Sequence, residues 1–121
     1  VAYPHDLAMK AKKAFETKGP SFLLVLQPCT NLWKFPTSMY VRMGKLATET
    51  NFWPLYEIED GKYKINLDPT ASGKKPKPIE EFLKGQGRFK HLFEAKNNKI
   101  IKEIQKTVDS NWKKLKLIAG N

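Results

Sequence analysis

Cys29 is the residue whose type and position most directly suggest chemistry in this chain. It is the only cysteine among 121 residues, and it follows Pro28 and the apolar run 22–26. The run is too short for a surface helix, so it predicts a strand buried on both faces, as in a parallel sheet. Open α/β sheets bind their ligands just beyond the carboxyl ends of such strands. The sequence therefore places its single thiol at a position where a sheet of this kind holds a ligand.

The residues alone leave three roles open for Cys29. The first is structural, because an arbitrary cysteine is most often a small buried residue, here at a strand end. A reactive thiolate needs a helix N-terminus or a base nearby; Thr37 or Ser38 begins a predicted helix, but no histidine is close in sequence. An iron–sulfur ligand needs partner cysteines from outside this chain. A single cysteine also excludes an internal disulfide and a metal site completed within these residues.

The other ionisable residues indicate no second catalytic centre. His5 lies beside a helix start and His91 in a basic segment, which is typical of surface histidines. The chain has no glycine-rich phosphate loop of the P-loop or dinucleotide type. Two carboxylate pairs are typical of solvated faces: Glu57 with Glu59, and Glu80 with Glu81. We therefore predict no catalytic residue within the chain.

The amino-terminal part predicts a helix, the buried strand and a second helix. Asp6 is the expected N-cap of the first helix and Gly19 its left-handed C′ residue. Thr37 or Ser38 is the expected cap of the second helix. Helix, tight turn and strand make half of a βαβ repeat, so we expect the chain to be a piece of something larger. The apolar faces are Leu7, Ala11, Ala14 and Phe15 in the first helix, and Met39, Met43, Leu46 and Ala47 in the second.

The remaining residues predict a β-hairpin and two helices. Apolar and polar side chains alternate on both sides of Asp60-Gly61, which is a type I′ turn signal. The polar, proline-containing segment 68–77 predicts a loop. A short helix is expected over 78–84 and a long amphipathic helix over 95–118, covering its own domain or docking on another subunit. Their apolar faces are Ile79, Phe82 and Leu83, and Ile101, Ile104, Val108, Trp112 and Leu115.

The composition indicates one folded, basic domain. The chain is 40% hydrophobic and carries a net charge of +10, with Arg42 and Arg88 as its only arginines. Recognition of bases and phosphates relies on arginine's planar fork, so the lysine surplus favours a solvated surface or an acidic protein partner over nucleic acid. The apolar stretches are too short to span a membrane, and residues 1–10 are unlike a signal peptide. We therefore expect a cytoplasmic protein without a membrane partner.

Three separated blocks of the sequence carry a family resemblance. They are KAKKAFETKGPSFLLVLQPC, KLATETNFWPLYEIEDGKYKIN and KPIEEFLKGQGRFKHL, in that order. Together they resemble the carboxy-terminal part of the β subunit of 2-oxoacid:ferredoxin oxidoreductases, most of all pyruvate:ferredoxin oxidoreductase (pyruvate synthase). WPLYE, followed by the hairpin and QGRF, is the most specific part. The resemblance extends over about residues 6–92, and we match the final helix, 93–121, to nothing.

The resemblance implies a fold and a set of cofactors. The expected α/β fold has the last helix–strand–helix portion of a thiamine diphosphate-binding domain over 1–51, a hairpin and short-helix extension over 52–92, and an amphipathic helix over 93–121. In that family the β subunit binds thiamine diphosphate with Mg²⁺ and carries a [4Fe-4S] cluster, whose fourth ligand corresponds to Cys29. The other three cysteines and the glycine-aspartate-glycine segment for Mg²⁺ are absent here, so this chain alone is expected to be inactive.

The resemblance also implies an activity and partners. The activity is oxidative decarboxylation of a 2-oxoacid, pyruvate above others, to an acyl-CoA, with electrons passed through the cluster to ferredoxin. The implied partners are α-, γ- and δ-type subunits, ferredoxin, coenzyme A and the 2-oxoacid. Gln86, Arg88 and Phe89 match the family's tail motif and are expected at an interface, with Phe89 buried and Arg88 paired to a carboxylate. A helix end with Gly85 or Gly87 as its C′ residue explains the same motif equally well.

The alternative is a free-standing basic module that binds an acidic protein or nucleic acid. Cys29 would then be merely structural. Scarce arginine and the buried strand before Cys29 both count against this reading. A cofactor-binding portion that precedes Val1 would separate the two hypotheses.

Overall fold

The computed structural model describes residues 1–120. This range holds five α-helices, α1 (Pro4–Glu16), α2 (Thr30–Trp33), α3 (Tyr40–Glu49), α4 (Ile79–Lys84) and α5 (Asn98–Ala119), and the antiparallel strands β1 (Leu55–Glu59) and β2 (Lys62–Leu67). The 3₁₀ segments are Thr37–Met39, Ala71–Gly73, Gly87–Phe93 and Ala95–Asn97. A mixture of helices with one hairpin is consistent with the predicted α/β class.

The core lies between α3, α4 and α5, on the faces that their periodicity predicts. Met43 and Ile79 are fully buried, and Phe82 is 1% exposed. The ring of Phe82 meets the ring of Trp33 edge-on, with centroids 5.9 Å apart, and lies 5.0 Å from that of Phe52. Phe82 therefore joins α4 to α2 and to the loop after α3.

Helix α5 covers its own chain. Its apolar stripe packs on α4 and β2, with Val108 and Trp112 buried, and the 3₁₀ segment Ala95–Asn97 stands where the pattern predicts the first helical turn. The side chain of Gln105 accepts the N–H of Ile79 at 2.7 Å, which satisfies a free amide at the start of α4. The long helix thus fixes the position of α4 by apolar packing and by a hydrogen bond.

The hairpin is confirmed, including its turn. Asp60 and Gly61 both have positive φ, 50° and 76°, as a type I′ turn requires. The prediction of a solvated Glu57 is wrong, because its side chain is 14% exposed and lies 2.7 Å from the ammonium of Lys13 on α1. The hydrogen bond from Lys13 holds the pKa of Glu57 below its usual value against the opposing effect of burial. The ion pair therefore ties α1 to the hairpin.

The predicted helix caps differ from the observed ones. Tyr3 is the N-cap of α1 and Pro4 its first residue, whereas Asp6 lies inside the first turn and pairs with Lys10 at 2.8 Å. Proline already has the φ of a first helical residue and needs no hydrogen bond there. Neither Thr37 nor Ser38 caps α3 with its side chain, because a 3₁₀ turn precedes that helix.

The segment 20–28, where the sequence predicts a buried strand, forms no strand among the described residues, and most of its apolar side chains are exposed there. Phe22 is 86% exposed and Leu24 64% exposed. A strand needs at least one neighbouring strand to pair with, and the strands described in residues 1–120 pair only with each other. Phe15, predicted on the buried face of α1, is likewise 92% exposed. Contacts among the described residues therefore leave these apolar side chains of α1 and of segment 20–28 exposed.

Candidate ligand site around Cys29

Cys29 stands at the start of a single helical turn. It is the N-cap of α2, and its carbonyl accepts the N–H of Trp33 at 2.9 Å. Its sulfur accepts the N–H of Leu32 at 3.5 Å. The thiol is free and half-buried. This turn gives the sulfur a defined direction and leaves it accessible.

Two aromatic side chains anchor the turn in the core. Trp33 and Phe35 are 8% and 6% exposed, and their ring centroids are 6.1 Å apart. The turn ends at Lys34, whose left-handed backbone (φ 56°, ψ 64°) lets Phe35 N–H reach the carbonyl of Thr30 at 3.2 Å. The position of the thiol is therefore determined by core packing on one side and by a closed turn on the other.

The QGRF segment packs directly against this turn. Gln86 is 1% exposed; its side-chain NH₂ donates to the carbonyl of Phe82, and its side-chain oxygen accepts from Nε of Arg88, both at 2.9 Å. The N–H of Gly87 donates to the carbonyl of Lys34 at 3.0 Å. Sequence reasoning did not bring QGRF and Cys29 together, because 57 residues separate Cys29 from Gln86 along the chain.

Arg88 lies over the ring of Trp33, in the Cys29 turn, and over the ring of Phe89. Its guanidinium carbon is 4.7 Å from the centroid of the Trp33 ring and 4.6 Å from that of Phe89, both within cation–π distance. Partial burial of the guanidinium against these rings lowers the pKa of Arg88, and the negative charge of a Cys29 thiolate opposes that shift. The residue remains exposed to solvent. The positive charge of the tail motif therefore lies in the electrostatic environment of the Cys29 sulfur.

The two glycines of the tail motif serve close approach and not a left-handed helix cap. Gly85 ends α4 with φ −68°, and Gly87 is not among the residues of positive φ. The C′ explanation of the motif is therefore wrong. A Cβ on Gly87 would come within 2.8 Å of the carbonyl oxygen of Lys34 and 2.9 Å of its Cβ. Glycine at this position lets the tail reach the Cys29 turn.

We expect Gly87→Ala to destabilise the chain by about 1–3 kcal/mol, because backbone must move to admit the methyl group. Gly85→Ala is the matched control, since its Cβ would meet the flexible end of Met43, at 2.7 Å from Sδ. Urea unfolding of the 121-residue variants measures both free energies. An unchanged free energy of unfolding in Gly87→Ala would contradict the close approach of Gly87 to Lys34.

The described residues offer one thiol toward a metal centre. Within residues 1–120, no group of three or more histidine, cysteine or acidic side chains lies close enough together to hold a metal ion. Cys29 contributes a free, half-buried sulfur that accepts a backbone N–H. Any further ligands would come from residues outside this range.

The interface predicted on Gln86, Arg88 and Phe89 stays a prediction. The structure places Gln86 in the interior, whereas Arg88 is exposed and Phe89 half-buried. Arg88 pairs with Gln86 and two rings; a carboxylate partner on another domain is not tested by this chain.

His5 and His91 are both exposed. Across residues 1–120, no helix has the length and hydropathy needed to cross a bilayer.

Comparison with known proteins reveals clear relatives. The chain is 45% identical over 119 residues to the ketoisovalerate oxidoreductase subunit VorB of Pyrococcus furiosus, covering 98% of this chain and 36% of VorB. It is 43% identical over 117 residues to the pyruvate synthase subunit PorB of Methanocaldococcus jannaschii, covering 97% and 37%. The PorB of Thermotoga maritima is 43% identical over 113 residues, covering 93% and 34%. No protein-family model matches the chain.

These relatives identify the class of protein to which the chain is similar. VorB and PorB are β subunits of 2-oxoacid:ferredoxin oxidoreductases, so the resemblance predicted from the three sequence blocks is confirmed. The match to VorB takes in 98% of the chain and therefore includes most of the final helix, which the sequence blocks had left unmatched. The chain spans about a third of the length of these relatives.

Proposed function

We propose that this chain is part of the β subunit of a 2-oxoacid:ferredoxin oxidoreductase. The enzyme would decarboxylate a 2-oxoacid oxidatively to an acyl-CoA and pass the electrons to ferredoxin. The observation that carries the proposal is the fixed, accessible thiol of Cys29 in a chain 45% identical to an oxidoreductase subunit. Pyruvate is the proposed substrate, because pyruvate synthase is the most common name among the relatives.

Cys29 is the residue that we propose holds a cofactor. Its thiolate would be the fourth ligand of a [4Fe-4S] cluster, with the other three cysteines outside this chain. When bound, the cluster supplies single-electron transfer between the thiamine site and ferredoxin. The N–H of Leu32 directed at the sulfur, and the buried Trp33 and Phe35 beside it, would set the polarity and water access of the ligand. Thiamine diphosphate and Mg²⁺ would be held elsewhere in the subunit.

The exposed apolar segment 20–28 supports a larger fold in the whole subunit. We propose that residues 1–51 are the last helix–strand–helix portion of a thiamine diphosphate-binding domain, with 52–92 and 93–121 as its extension and final helix. The rest of the subunit would supply neighbouring strands for the apolar run 22–26. This placement accounts for side chains such as Phe22, exposed over 86% of its surface. Burying a large apolar side chain contributes roughly 1.5–3 kcal/mol, so such contacts favour association of the two parts.

The proposed partners follow from the same assignment. They are the other subunits of the complex, ferredoxin, coenzyme A and the 2-oxoacid. The net charge of +10 would attract an acidic ferredoxin over a long range. Arg88 and Phe89 are the exposed or half-buried residues through which the tail would contact a neighbouring domain. A cytoplasmic enzyme without membrane or nucleic-acid partners is the proposed setting.

The complex containing this chain, purified without oxygen from its source, tests the proposed function. We expect reduction of ferredoxin that depends on coenzyme A and is faster with pyruvate than with 2-oxoisovalerate. The intact mass of the subunit is expected to exceed 13.9 kDa. Faster turnover of 2-oxoisovalerate would change only the proposed substrate and would leave the proposed enzyme class in place. A 13.9 kDa polypeptide without either activity would overturn the proposal in favour of a basic interaction module.

A further inference from the structure

We infer that Arg88 is a positioning residue that provides a fixed positive charge to the group that Cys29 ligates and raises its reduction potential. The inference rests on the proposed function, because it takes Cys29 as a cluster ligand. It goes further by assigning an electronic role to an arginine of the tail motif. It depends on how the turn after Cys29 and the QGRF segment are joined.

The contacts fix Arg88 relative to the Cys29 turn. Its Nε donates to the side-chain oxygen of Gln86, which is itself anchored on the carbonyl of Phe82. The guanidinium lies over the ring of Trp33 at 4.7 Å, and the N–H of Trp33 donates to the carbonyl of Cys29. Gly87, directly before Arg88, donates to Lys34 at the end of the same turn. The charge is therefore attached to the ligand turn at two points, Trp33 and Lys34, and to α4 at a third, Phe82.

The charge of Arg88 is not compensated by an acidic side chain within the described residues. The structure records no ion pair for it in residues 1–120, whereas Arg42 lies 3.0 Å from Glu49 and 3.8 Å from Glu81. Its hydrogen-bond partner Gln86 is neutral. Arginine retains its proton throughout the physiological range. The positive charge held against the ring of Trp33, in the Cys29 turn, is therefore permanent, and no acidic side chain of residues 1–120 cancels it.

A permanent positive charge stabilises the more negative of two redox states. Reduction of a [4Fe-4S] cluster adds one electron, and in this step no bond to Cys29 breaks and no proton is taken up. The electron comes from the 2-oxoacid oxidised in the proposed reaction and leaves to ferredoxin. The environment of the ligand sulfurs, including charge and solvent exposure, sets the potential of such clusters. Removing the charge of Arg88 should therefore make the cluster harder to reduce.

The test compares Arg88→Met, Arg88→Gln and Arg88→Lys in the assembled complex. We expect both neutral variants to retain their iron and to shift the midpoint potential of one cluster downward. The shift should be on the order of tenfold in the reduction equilibrium, about 59 mV for one electron. Arg88→Lys should stay closer to the parent, since it keeps the charge. Arg42→Met, which removes the other arginine of the chain at a paired site, should leave the potential unchanged. Redox titration monitored by EPR measures each potential.

Each other outcome bears on the inference in a distinct way. An unchanged potential in both neutral variants overturns it, as expected if a partner's carboxylate cancels the charge. Equal shifts in Arg88→Lys and Arg88→Met also overturn it, because stacking and not charge would be responsible. If the neutral variants lose the cluster, retention in Arg88→Lys supports the charge, and loss in all three overturns it. A Cys29→Ser variant with every cluster intact would overturn the proposed ligand as well.

Discussion

Replacement of Cys29 by serine in the full subunit is expected to remove one [4Fe-4S] cluster from the assembled enzyme. Serine occupies the same N-cap position but provides a hydroxyl, which is protonated at neutral pH and does not replace a thiolate as an iron ligand. The loss should be about four iron atoms per subunit, together with the EPR signal of that cluster. Ferredoxin reduction should fall with it, because electrons would lose one carrier.

The control for this change is Thr30→Ser, one residue further along the same turn. It alters a side chain of similar size at the first position of α2 and leaves the sulfur in place. We expect its iron content and EPR spectrum to match those of the parent. A full complement of iron and an unchanged spectrum in Cys29→Ser would refute the ligand assignment, and Cys29 would then be a structural residue of the turn.

Truncation of Phe82 to alanine is expected to lower the free energy of unfolding of the chain by about 3–5 kcal/mol. Phe82 is the largest side chain among those less than 2% exposed, and its ring contacts Trp33 and Phe52. The cavity left by the ring would remove support from α2 as well as from α4. Since domains of this size are stable by only about 5–15 kcal/mol, the variant should unfold at far lower urea concentrations.

Phe15→Ala provides the matched control, because the same ring is 92% exposed on α1. In the isolated 121-residue chain its effect should stay within about 0.5 kcal/mol. The chemical change is identical in the two variants. The difference between their free energies of unfolding therefore measures the contribution of burying the ring of Phe82. Comparable losses at the two positions would contradict the packing of Phe82 at the centre of the core.

Local sequence patterns determined most elements of the fold. Asp60-Gly61 set the hairpin because both residues tolerate positive φ, and the apolar spacing in α3, α4 and α5 selected the faces that are buried. Those patterns describe neighbours within a few residues, which a single sequence records directly. They did not predict the one-turn helix α2. In α2 the N–H of Trp33 donates to the carbonyl of Cys29. This turn is held in place because Trp33 and Phe35 pack in the core, which distant residues form.

The burial of residues 22–26 could not be determined from the pattern alone. An apolar run records a tendency to be covered, but its cover must come from another part of the polypeptide, and none of the described residues 1–120 pairs with this run as a strand. The same reason explains why the pattern did not predict the burial of the Glu57 side chain. Alternation assigned it to the solvent, whereas Lys13, 44 residues away along the chain, forms an ion pair with it.

By itself, the sequence determined the identity of the one thiol, the approximate positions of α1, α3, α4, α5 and the hairpin, and the three blocks that resemble a 2-oxoacid:ferredoxin oxidoreductase β subunit. The tertiary structure alone brought Gly87 and Arg88 onto the Cys29 turn. That contact spans more than fifty residues of chain and requires both the core around Phe82 and the absence of a Cβ on Gly87. Contacts of this kind arise only when distant elements pack together, so no local pattern encodes them.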